Sequence, residues 1–156
     1  MPKFATQEWA EAYVSAINNN PSYMEAAGPS GFPPNGWEGD FIFEIEPSGP
    51  VTEKITMWIG LYHGECTGAK ILDASQTWKL LKPGEKPSGG TDYEVEFVYS
   101  AKYDSWVKIL KKELDPIRAL LSGQAKLQGD MAKVMRATKA AQELVVSTTT
   151  FDTEFW

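Results

Sequence analysis

The chain has 156 residues, 42% hydrophobic and 23% charged, with a formal net charge of −6. This length and balance describe one globular domain, residues 1–156, and exclude a disordered chain. The acidic excess disfavours nucleic acid as a partner, no apolar run approaches the roughly 20 residues that span a bilayer, and a lone cysteine, Cys66, leaves no internal disulfide.

Thr6 is placed to cap a first helix carrying Ala10, Tyr13, Val14 and Ile17 at helical spacing. Asn20 and Pro21 start a short second helix that runs to Ala27 and stops at Gly28. The Pro/Gly-rich segment from Gly28 to Gly36 is a loop. Strands follow. Phe41, Phe43 and Ile45 alternate with Ile42, Glu44 and Glu46, and Pro47–Pro50 is the turn. The run from Glu53 to Tyr62 puts Ile55, Met57, Ile59 and Leu61 on one face, with Thr56, Trp58 and Tyr62 opposite, so that strand is expected to be covered on both sides. His63-Gly64-Glu65 returns the chain into a strand from Cys66 to Leu72. After a polar stretch, Lys82–Gly90, one further strand is expected to carry Tyr93, Val95, Phe97 and Tyr99 opposite Glu94, Glu96 and Ser100.

The last third is the most informative. Asp104 is placed to cap a helix with Trp106, Ile109 and Leu110 inside, and Asp115 to cap a second with Pro116 at its first position. Ile117, Leu120 and Leu121 form the stripe of that second helix, and Gly123 supplies a left-handed stop. Ala125-Lys126-Leu127 is a short strand, and Asp130 caps a third helix with Met131, Val134, Met135, Thr138, Ala141 and Val145 on one side. About five strands, flanked by helices, indicate an α+β fold: a mainly antiparallel sheet with helices on one face.

Sites of polar chemistry are sparse. His63 and Cys66 lie three apart, but zinc needs three or four ligands and the chain has no other His or Cys. Glu44, Glu46, Glu94 and Glu96 occupy polar halves of alternating strands, which solvation explains more simply than acid–base work. Gly123 and Gly129 precede no phosphate-loop pattern, and Ser100, Ser105 and Ser122 lack a nucleophile-elbow context. No catalytic residue, metal or cofactor is assigned. Residues 1–100 hold 14 acids and 6 bases, a net −8, whereas residues 101–156 hold 7 acids and 9 bases, a net +2. The bases are read as solvated helix faces, with contact to an anionic ligand head or an anionic lipid surface as the sharper alternative.

The order Trp106, Leu114-Asp115-Pro116, Ala119-Leu120-Leu121-Ser122-Gly123, Lys126-Leu127-Gln128-Gly129-Asp130 resembles the sterol carrier protein type-2 domain. Lys112 stands where relatives often have glycine, and the C-terminal Glu154-Phe155-Trp156 is not a peroxisomal address. With no apolar signal region at Met1–Thr6, cytoplasm is the expected location. The resemblance implies a hydrophobic tunnel between sheet and helices, holding an acyl chain or sterol. The expected walls are Phe97, Tyr99, Trp106, Leu110, Ile117, Leu121, Met131, Val134, Met135 and Thr138. The function expected is non-catalytic binding and transfer of a fatty acid, fatty acyl-CoA or sterol-like lipid, with transient membrane-surface contact. The main alternative is an interaction or homodimerisation module using the same apolar faces; an enzyme acting on lipid through Glu94 or His63 ranks last.

Overall fold

The computed structural model describes residues 1–156. Helix α1 (Gln7–Asn18) starts where Thr6 accepts a hydrogen bond from the Trp9 amide, and α2 (Pro21–Ala27) where Asn20 accepts from the Ser22 and Tyr23 amides. Strands β1 (Phe41–Glu46), β2 (Ile55–Tyr62) and β3 (Glu65–Leu72) form an antiparallel meander. The β2–β3 turn is His63-Gly64, both residues at positive φ (53° and 92°) as a two-residue hairpin with right-handed strand twist requires.

The chain then leaves the main sheet. A small parallel pair, β4 (Trp78–Leu80) and β5 (Tyr93–Val95), covers the outer face, where Val95 packs with Ile42, Val98, Trp58 and Leu72. This is the cover expected over the Trp58 face of β2; β4 itself corresponds to no predicted strand. The chain returns as β6 (Phe97–Lys102), parallel to β1, and the order is completed by β7 (Ala125–Gln128): β3-β2-β1-β6-β7. The sheet is therefore mainly antiparallel, with one parallel pairing at its centre.

Three expectations need correction. The strand expected through Tyr93–Ser100 is interrupted at Glu96, because the amides of Glu96 and Phe97 both donate to the Asp40 carbonyl (3.1 and 3.3 Å). Val95 is thereby buried on the outer face and Phe97 on the inner. Helix α3 (Tyr103–Leu110) starts ahead of Asp104: β6 runs straight into it, its first residue follows Lys102, and the Asp104 amide donates to Ser48 Oγ instead. Finally, the helix expected after Asp130 is two helices, α5 (Met131–Arg136) and α6 (Thr138–Thr148). They are broken at Ala137 (φ −105°, ψ 27°), where the Thr138 hydroxyl donates to the Met135 carbonyl at 2.7 Å.

Helix α4 (Pro116–Leu121) begins as expected, with Asp115 accepting from the Ile117 and Arg118 amides, and Gly123 takes φ 78° after it. The tail past α6 folds back onto the N-terminus: the Phe4 amide donates to the Glu154 carbonyl, and Trp156 donates from its ring nitrogen to the Phe4 carbonyl at 2.8 Å. Phe151 and Phe155 pack against Trp9 and Phe4. No helix is long and apolar enough to cross a membrane.

Candidate functional site: an aromatic-floored cavity

Register places Met57, Phe43, Tyr99 and Leu127 in one row across β2, β1, β6 and β7. All four side chains point to the helical side, since alternate residues share a face. The first three floor a cavity of about 80 Å³. Phe4, Trp9 and Tyr13 close one end, Trp106, Ile109 and Leu110 of α3 the second side, and Pro116 and Ile117 of α4 the third. The roof is Val134 of α5 with Ala141, Leu144, Val145 and Thr148 of α6, one stripe at helical spacing. A smaller pocket of about 30 Å³ shares Phe41, Val134, Ala141 and Leu144 with it and extends toward Tyr23 and Trp37.

The lining contains no charged side chain, and its polar handles are spent elsewhere. Tyr13 and Tyr99 donate to the carbonyls of Leu144 and Pro116 at 3.1 and 2.8 Å. The Trp106 ring nitrogen donates to the Glu44 carbonyl, the Trp9 ring nitrogen to Thr153, and the Thr148 hydroxyl to the Val145 carbonyl. Burial pushes both tyrosine hydroxyls above their ordinary pKa, so they stay neutral. Such a wall offers apolar area and shape rather than free polar groups.

Of the ten residues expected as walls, the structure brings Tyr99, Trp106, Leu110, Ile117 and Val134 to this cavity. It places the other five elsewhere. Phe97 is fully buried one row along the sheet, stacked between Trp37 (5.4 Å) and Phe41 (4.9 Å). Leu121 ends α4 and is 71% exposed; Met131 and Met135 are 40% and 39% exposed. Thr138 sits at the helix break with its hydroxyl on the Met135 carbonyl. The rotation of α5 has a definite cause. Lys133 turns inward, donating to the Glu38 carbonyl (2.6 Å) and both Glu96 oxygens, its ammonium 4.8 Å from the Trp37 ring. With Lys133 and Val134 inward, Met131 and Met135 point out.

Phe4, Trp9, Tyr13, Phe43, Met57, Leu144 and Thr148 are wall residues that the expected set lacks. The apolar periodicity of Tyr13, Phe43 and Met57 was visible in the sequence; the inward positions of Phe4, Trp9, Leu144 and Thr148, and the meeting of α1 and the sheet with the last helices over one cavity, were not.

The polar residues weighed above are engaged structurally. His63 Nε2 lies 2.7 Å from Glu38 Oε1. Cys66 is buried, its backbone bonded to the Asn18 side chain, and burial pushes its thiol up to about 11, far from a ready nucleophile. Glu94 accepts from the Ser88, Gly89 and Gly90 amides, Glu96 pairs with Lys133, and Glu44 accepts from Ser100 and Lys54. No group of three or more His, Cys, Asp or Glu is arranged to hold a metal.

The fold matches known proteins. The crystal structure of sterol carrier protein 2 superposes at TM-score 0.72 with 26% identity, covering 96% of this chain and 100% of that one. A conserved hypothetical protein of Thermus thermophilus, whose description offers sterol carrier protein as an identity, superposes at 0.74 with 26% identity, over 99% and 93%. None of the curated proteins matches this sequence. The family model described as the SCP-2 sterol transfer family matches residues 52–142, more than half of the chain, and the chain belongs to that family.

Proposed function

We propose that the chain is a non-catalytic carrier that encloses an elongated apolar molecule, a fatty acid, fatty acyl thioester or sterol-like lipid, between the Met57–Phe43–Tyr99 row and the roof formed by α5 and α6. The observation that supports it is a cavity lined almost wholly by hydrophobic side chains, whose few polar atoms bond to backbone or to neighbours. Affinity then comes from apolar area removed from water, at roughly 25 cal/mol per Å². Covalent chemistry has no support in the arrangement: the one thiol is buried with a raised pKa, and no base adjoins a nucleophile at the cavity.

The cavity is smaller than its proposed contents. A cavity that holds benzene measures about 150 Å³, against about 80 Å³ here. Loading therefore requires the walls to part. The roof is the movable wall: α5 is six residues long, joined to α6 through the non-helical Ala137 and tied to the sheet chiefly by Lys133. Widening there merges the main cavity with the pocket beyond Val134, Ala141 and Leu144.

Titration with a fluorescent fatty acid, competed by acyl chains of several lengths and by a sterol, tests this reading. Saturable binding at about micromolar strength, roughly −8 kcal/mol, is expected. No saturable binding to any of them contradicts it.

A further inference from the structure

Where α5 meets the loop before β1, the chain builds a seat for a carboxylate. Lys133 precedes Val134, which lines both the main cavity and the smaller pocket. The Lys133 ammonium lies 4.8 Å from the ring centre of Trp37, a wall of the smaller pocket, and 5.7 Å from that of Phe97. It donates to the Glu38 carbonyl at 2.6 Å and to the two Glu96 carboxylate oxygens at 2.9 and 3.0 Å. Gly39, at φ 150°, bounds the same carboxylate: a Cβ there would come within 2.7 Å of Glu96 Oε2. The neighbouring acids are committed elsewhere, Glu38 Oε1 to His63 and Asp40 to the Leu61 amide and the Trp58 ring nitrogen. Glu96 is the freer member of its pair, its side chain 36% exposed against 19% for Lys133.

We infer that Glu96 occupies the seat of the cargo's head group as an internal competitor, and that this end of the apolar space selects a long-chain carboxylate. This deepens the carrier reading and rests on it. The walls of both pockets carry no charged side chain, and Lys133 is the cation held against their aromatic end. The exchange is balanced. One carboxylate leaves the ammonium for water and another takes its hydrogen bonds, while the bond to the Glu38 carbonyl persists, so no charge is left buried without a partner. A hydroxyl head has no charge to offer in place of Glu96, and leaves the ion pair where it is. The opening at Pro116 and Val145 toward Lys139 is no equivalent, because Lys139 is 70% exposed and a cation in water binds an anion weakly. Exchange at Lys133 also fastens α5 to the cargo, so the helix that must move for loading is tied down again once loading is complete.

The test is displacement, at neutral pH, of a pyrene-labelled fatty alcohol from the full chain by palmitate and by hexadecanol, which share a chain length and differ in head group. Glu96→Gln removes the competing charge and should tighten palmitate by about tenfold, the scale of a hydrogen bond to a charged group, while leaving hexadecanol unchanged. Lys133→Met keeps the apolar stem and should weaken palmitate until it binds no tighter than hexadecanol. Lys139→Met, at the other opening, should leave the balance between the two lipids as it is. Palmitate and hexadecanol shifting together in Glu96→Gln, or palmitate keeping its advantage in Lys133→Met, would overturn the assignment. Glu96→Gln decides alone if Lys133→Met fails to fold, since it retains the side chain's size and an acceptor oxygen for Lys133. The two readings fail differently. Binding of both lipids with no effect of head group in any variant sinks the carboxylate seat alone; no binding of either lipid or of the labelled alcohol by the natural chain sinks the carrier reading.

Discussion

Lys112 shows how one residue's backbone can be out of keeping with its side chain. Helix α3 ends with the Lys112 amide donating to the Ile109 carbonyl and the Glu113 amide to the Lys108 carbonyl, and Lys112 itself sits at φ 61°. That is the left-handed position where glycine is favoured, and where the resemblance led one to expect glycine. Lys112→Gly should therefore stabilise the protein by about 0.5–1 kcal/mol in urea unfolding, while Lys112→Ala, which removes the charge but keeps Cβ, should not. Glu143 carries a second residue-scale expectation. Its hydrogen bond and ion pair to Lys139 and its bond from Asn20 hold its pKa below the ordinary value, against the opposing effect of burial. A depressed folded pKa contributes stability that is full above the unfolded value, about 4.3, and lost as pH falls through the folded one. The stability difference between the natural chain and Glu143→Gln should accordingly be largest near neutral pH and shrink toward acid; a difference independent of pH would contradict this cause. Caps were the residues most legible in sequence: Thr6, Asn20, Asp115 and Asp130 all accept the amides their positions imply. Asp104 was not: the helix begins one residue earlier, at Tyr103, and the Asp104 amide is taken up by Ser48, 56 residues away in sequence.

At the scale of elements, the roof is where sequence periodicity misled. Met131, Val134 and Met135 share a stripe within α5, but only Val134 of the three is buried. The inward turn of Lys133 rotates that stripe off the sheet, so the inward row is Lys133, Val134, Ala137, Ala140, Ala141 and Leu144, and Thr138 lies past the break at Ala137. An inward-turned lysine has no apolar signature, and its partners Glu38 and Glu96 lie 95 and 37 residues away. The consequence is testable in two substitutions. Met135→Trp should change neither stability nor fatty acid uptake, since its side chain is outside the cavity. Ala141→Phe places a ring where both pockets meet and should reduce uptake at least tenfold with little loss of thermal stability. If Ala141 instead sits in close-packed core, overpacking would cost about 1–3 kcal/mol and the Tm would fall.

At the scale of the molecule, the α+β class and the run of strands were readable because hydrophobic alternation is local. The central parallel pairing of β1 with β6 was not, since no local pattern distinguishes a strand returning beside β1 from one continuing the meander. That pairing matters for the site. It aligns Phe43 with Tyr99, and with Met57 from β2 it makes the cavity floor from residues 42 positions apart in sequence between Met57 and Tyr99. The tail then seals one end, bonding Trp156 to Phe4, itself a wall residue. Uptake of a lipid into this apolar space is checked by native mass spectrometry of the intact chain, freshly purified and again after incubation with palmitate and with cholesterol. An equimolar complex of lipid mass is expected, one that organic extraction removes and that Ala141→Phe fails to form. Unliganded mass alone, before and after incubation with either lipid, would contradict it.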